Sequence, residues 1–141
     1  SLIGHDVETI RHGPNASRII ANSLRTGAIA VLLYDLPARW GKTSPVHVFN
    51  HQLHWVVGPL QLAILGKASV VPFYSFNTSH GAICELKPVR DYRHIDCDRS
   101  TFLRSEMQIM ASTAETYIKR YVIQWDHWGL VREMILGVQS D

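Results

Sequence analysis

The spacing of apolar positions changes several times along this chain, and each change predicts an element. Ala16, Ile20 and Leu24 recur every four residues with Ile19 beside them, which gives one apolar helix face. Asn15 is placed to cap that helix and Gly27 to end it. Ala28 to Tyr34, AIAVLLY, is apolar at every position. A strand apolar on both faces belongs in the middle of a parallel sheet. Asp35-Leu36-Pro37 turns the chain, and ARWGKTS, residues 38–44, is a polar loop. Val46 to Phe49 reads as a short strand or an extended arm. A second helix is predicted over Val57 to Leu65, ended by Gly66.

Ala68 to Val71 is the next strand. Pro72 cannot donate to a ladder, so it marks the carboxyl end, and Phe73 to Phe76 are expected to leave the sheet as rim residues. NTSHG, residues 77–81, is a turn. Ala82 to Leu86 is a further strand, with an extended stretch over 92–96. From Thr101 to Tyr121, the residues Met107, Met110, Ala114, Tyr117, Ile118 and Tyr121 repeat at spacings of three and four, predicting an amphipathic helix whose stripe is core. IQWDHWG, residues 123–129, carries two of the four tryptophans and is expected to pack back onto the domain. The order of elements predicts an α/β fold, a mostly parallel sheet with flanking helices, over a single domain of residues 1–141. Strands 28–34 and 68–71 would be parallel neighbours.

Composition narrows the function classes. The 141 residues are 46% hydrophobic and 18% charged, a globular balance. A net charge of +2 without a Lys/Arg run excludes a nucleic-acid partner and leaves weak attraction to an anionic membrane surface open. Cys84 and Cys97 offer neither a disulfide framework nor zinc spacing, and read as single thiols of a reducing compartment. No signal peptide is visible. The longest apolar run, Trp55 to Leu65, includes Gly58, Pro59 and Gln61 and is about half the ~20 residues of a membrane span. The opening Ser1-Leu2, in place of methionine, suggests a piece of a larger protein.

Few patterns carry chemistry. HGAICE, residues 80–85, has the H-x4-E spacing in which an acid orients a histidine base, but it falls on a predicted strand and reads more simply as a turn histidine beside an exposed glutamate. HIDCD, residues 94–98, mixes metal-ligand types without a second cluster, and Asp98 suits the start of the following helix. His47, His51 and His54 read as loop or structural residues. No phosphate-binding glycine motif and no nucleophile elbow occurs. Asp35 differs, because it directly follows the predicted buried strand. Ligands of open α/β sheets bind beyond the carboxyl ends of strands. Asp35 and Pro72 both lie at such ends, although Asp35 is equally a turn-forming Asx residue.

In order, SLRTGAIAVLLYD (23–35), VHVF (46–49), GPLQLA (58–63), GKASVVPFY (66–74) and AETYIKRYVIQW (114–125) resemble successive blocks of the lipid A biosynthesis (lauroyl/myristoyl) acyltransferases of the lysophospholipid acyltransferase superfamily, in their C-terminal half. The family's catalytic H-x4-D/E block lies upstream of every block matched here. The resemblance therefore implies a partial acyltransferase domain handling a lipid and an acyl thioester, with acyl carrier protein or coenzyme A as donor, no bound cofactor, and no transferase activity in this chain alone. It places Asp35, Val71 and Pro72 in the substrate cleft, and it implies a membrane-associated, cytoplasmic protein on the inner face of the membrane. A partner, either a second copy or the missing N-terminal half, would cover what the fragment exposes. A non-catalytic lipid- or protein-binding module that self-associates is the alternative.

Overall fold

The computed structural model describes residues 9, 10, 13, 15–95 and 98–137. Helix α1 (Ala16–Arg25) leads into a segment, residues 28–34, without helix or ladder. Then come β1 (Thr43–Val48), β2 (His51–Val56), α2 (Gly58–Gly66), β3 (Ser69–Val70), β4 (Phe73–Thr78), β5 (Gly81–Leu86) and β6 (Arg90–Asp91). The long α3 (Arg99–Arg120), two 3₁₀ turns and α4 (Val131–Leu136) complete the order.

The mostly parallel sheet is not there. Its place is taken by three two-stranded antiparallel ladders, β1–β2, β3–β6 and β4–β5. Chain economy explains the difference. An antiparallel pair closes through a two-residue turn, whereas a parallel pair needs a crossover of a dozen residues or more. Phe49 and Asn50 both take positive φ (54° and 62°) at the tip of β1–β2, the handedness that matches strand twist in a tight hairpin. Gly81, at φ 121°, serves the β4–β5 turn. Periodicity misread this second hairpin, because Pro72 ends β3 while Phe73 to Phe76 enter a ladder, Phe73 opposite Leu86 and Phe76 opposite Ile83. The stretch after β5 pairs at 90–91, before the predicted 92–96, of which residue 96 lies outside the described residues.

Residues 28–34, read as a central strand, join no strand ladder among the described residues. Ile29, Val31 and Leu33 are 93%, 72% and 57% exposed, while Leu32 and Tyr34 are half-buried. Over Val31 to Tyr34 that alternation is the period of a strand with only one face covered, whereas Ala28 to Ala30 are exposed throughout.

The helices fall close to expectation. Gly27 takes φ 92° just beyond α1, whereas the Asn15 side chain makes no capping bond. Gly66 has a different role from the predicted helix stop. The left-handed residue after α2 is Lys67, at φ 51°. A Cβ on Gly66 would lie 2.7 Å from Leu24 Cβ, so the glycine lets α1 lie against α2. Asp98 accepts from Thr101 N at 2.8 Å and caps α3; hydrogen bonds from Ser100 and Thr101 push its carboxyl down to about 2.

The core lies where α3 crosses β1 and α4 covers β2. Val46, Val48, Trp55, Leu60, Met107 and Met134 are fully buried in it. One charge enters. Glu106, 7% exposed, accepts from Arg90 Nε at 2.5 Å, Arg90 Nη2 at 2.6 Å and Tyr92 Oη at 2.7 Å, fastening β6 to α3. Two glutamines close strand edges. Gln108 accepts from His47 N (2.8 Å) and donates to His47 O (3.0 Å). Gln124 does the same for Asn77, at 2.6 and 2.9 Å.

Candidate functional site

Segment 28–35, the β3–β4 stretch and one face of α3 enclose a groove of about 770 Å³, a size typical of small-molecule sites. Each wall follows from local sequence. The apolar segment supplies Leu32 and Tyr34, α3 presents Met110, Ala114 and Ile118 from its 3–4 stripe, and Val71 to Phe76 form the facing wall. Residues 124–127 close one end.

That end is polar. Trp125 Nε1 donates to Asp35 Oδ2 at 2.9 Å, and His127 Nε2 lies 3.6 Å from Asp35 Oδ1. The Asp35 carboxylate thus serves the C-terminal tail and not an Asx turn of its own. Pro37, fully buried two residues on, fixes the chain at this corner. Beside it the Tyr34 and Tyr74 hydroxyls are hydrogen-bonded at 2.9 Å, and Tyr74 Oη also donates to Met110 O at 3.4 Å. Burial, and the neighbouring phenol, push Tyr34 far above the usual tyrosine range; burial likewise raises Tyr74. Both therefore remain neutral hydrogen-bond donors at physiological pH. The Tyr74 ring stacks on Tyr117 at 4.2 Å.

The tail is firmly seated. Gln124 is held by Asn77, Trp128 Nε1 donates to Val122 O at 2.6 Å, and the Trp128 ring stacks on Phe49 at 6.0 Å. Packing of the aromatic tail onto the domain is what the sequence led one to expect.

All three sequence-predicted cleft residues, Asp35, Val71 and Pro72, line this one groove. Sequence reasoning missed Tyr34, Tyr74, Trp125 and His127. The tryptophan-rich IQWDHWG was the available signal, but nothing local to it pointed at Asp35, 90 residues away.

The other patterns separate. His80 sits exposed at the β4–β5 turn, and Glu85 lies near the far end of β5, about 17 Å on at ~3.4 Å per residue. Glu85 is paired with Lys87 at 2.6 Å, so H-x4-E forms no dyad. His47, His51 and His54 lie on the β1–β2 hairpin. Of HIDCD, Asp96 and Cys97 lie outside the described residues and Asp98 is the α3 cap. Among the described residues no three His, Cys, Asp or Glu side chains are grouped to hold a metal ion, and no helix is long and apolar enough to cross a membrane.

No protein-family model matches this chain, and neither a curated protein nor a solved structure matches it.

Proposed function

We propose that this chain is acyltransferase-like and binds a long acyl chain in the groove beside segment 28–35. The acyl group would come from an acyl thioester of acyl carrier protein or coenzyme A and be destined for a hydroxyl of a lipid or glycolipid. One observation carries the reading: a mainly apolar groove whose lining also includes the Tyr34–Tyr74 and Asp35–Trp125–His127 cluster. An acyl tail suits the apolar walls, and its carbonyl end suits the polar cluster. The support is the groove, not the sheet topology that the resemblance implied. A cytoplasmic, peripheral position on the inner membrane face follows from such a substrate.

Titration with a fluorescent fatty acid such as cis-parinaric acid tests this. Val71, 43% exposed on the groove wall, tolerates a polar side chain without loss of core. Val71→Asp is expected to weaken binding at least tenfold. A wild-type chain that binds no probe, or a variant that binds equally well, would end the proposal.

The exposed Ile29, Val31 and Leu33 favour a second reading, a module that self-associates. Light scattering at tens of micromolar distinguishes them. A strict monomer excludes self-association.

A further inference from the structure

The linear sequence offers no paired base, yet the fold assembles one. We infer that His127 and Asp35 form an acid–base pair that hydrolyses an acyl thioester held in the groove; this rests on the acyl-binding reading above. Trp125 Nε1 holds Asp35 Oδ2 at 2.9 Å, which fixes the carboxylate and leaves Oδ1 facing His127 Nε2 at 3.6 Å. Closing that gap to hydrogen-bond distance would place the His127 proton on Nε2, toward the accepting carboxylate, and leave Nδ1 its lone pair. The backbone at His127 is held as well: its carbonyl accepts from Leu130 N at 2.9 Å, and Trp128 is anchored to Val122 O. Both side chains line the groove and are about one-fifth exposed, 20% for Asp35 and 19% for His127. Water therefore reaches them while most of the surroundings are protein. The 3.6 Å separation is of the kind that tightens when substrate occupies a site.

The chemistry balances without a cofactor. His127 Nδ1 takes a proton from water as the water oxygen bonds to the acyl carbonyl carbon. The carbon–sulfur bond then breaks, its electron pair leaves with sulfur, and the imidazolium returns the proton to the thiolate. The products are a carboxylic acid and a thiol. A hydroxyl in place of water yields an ester. Asp35 is a positioning residue in this scheme, and His127 is the catalytic one.

The test uses the full chain with palmitoyl-coenzyme A, thiol release being followed with a chromogenic disulfide and groove occupancy with cis-parinaric acid. Wild type is expected to release thiol above the buffer rate. His127→Asn should lower kcat at least tenfold. Asp35→Asn, which still accepts from Trp125, should lower kcat at least fivefold with KM within twofold. Probe affinity is measured for each variant alongside, so that a fall in kcat is separated from a loss of groove occupancy. Wild type that binds the probe but releases no thiol overturns the acid–base pair and leaves the acyl-binding reading standing, as does His127→Asn turning over at the wild-type rate. Absence of probe binding to wild type overturns the groove reading itself.

Discussion

Replacing Glu106 with glutamine removes the one charge in the core without changing its shape. Burial alone would raise this carboxyl, but the hydrogen bonds from Arg90 and Tyr92 outweigh burial and hold it below the usual glutamate range. The native carboxylate accepts three hydrogen bonds, two of them from one guanidinium. A glutamine has one acceptor oxygen, and its NH₂ would face the Arg90 or Tyr92 donors. At least one charge-assisted bond is lost, worth about 1.5–3 kcal/mol. Breaking a fully buried ion pair costs about 3–5 kcal/mol, but Arg90 can recover hydration, its side chain being 31% exposed. The expected loss is therefore about 2–3 kcal/mol at pH 7, read from urea unfolding. A group whose folded pKa is depressed adds stability that is present above its unfolded pKa and disappears as pH falls through the folded one. The gap between wild type and Glu106→Gln should accordingly be full at pH 7 and shrink toward pH 3. A gap under about 0.5 kcal/mol at pH 7, against the charged-bond range, or one that does not narrow in acid, refutes the reasoning.

Gly66→Ala places a methyl 2.7 Å from Leu24 Cβ and 2.9 Å from its Cδ1; α1 must move away from α2 at a cost of about 1–3 kcal/mol. An unchanged urea midpoint would show that the two helices do not meet as described. Trp125→Phe keeps an aromatic ring of smaller size and takes the donor from Asp35 Oδ2, so thermal melts should show a loss of at least about 1 kcal/mol; no loss would mean the bond is not formed in solution. Val31→Asp puts a charge in the middle of the exposed apolar segment. If wild type is a dimer by light scattering, this variant should be a monomer, and a persisting dimer would place the contact elsewhere.

Helices were legible because their signals are local. The stripe from Met107 to Ile118 lies within one element, and α3 follows it to within two residues at its start. The sheets were not legible, because an apolar run such as AIAVLLY looks the same whether it is covered on two faces or one. Its burial depends on which strands pair beside it, and the strand expected there, β3, pairs antiparallel with β6, while β1–β2 and β4–β5 close as hairpins. Pro72 was read correctly as the place where the chain leaves the β3 ladder; Phe73 to Phe76, read as rim residues, instead enter a separate ladder with β5. For the site, Asp35 and Pro72 were named through the rule about carboxyl ends of strands and Val71 through the resemblance; all three border one groove, although the parallel sheet that the rule presumes is absent. His127 and Trp125 were not named, because their proximity to Asp35 is made by the whole length of α3 carrying the tail back across the domain.

The two glutamine contacts bear on where this protein can polymerise. A two-stranded hairpin grows only if a further chain can add a rung at its open side. Gln108 occupies that first rung on β1 and Gln124 occupies it on β4, each with one donor and one acceptor, as a peptide unit would. They work as chain terminators made from a single side chain. With those β1 and β4 edges stoppered, residues 28–34 stand out among the described residues as an exposed apolar stretch with no such contact. Solubility engineering on this protein therefore belongs in that segment, and removing either glutamine would open a second front.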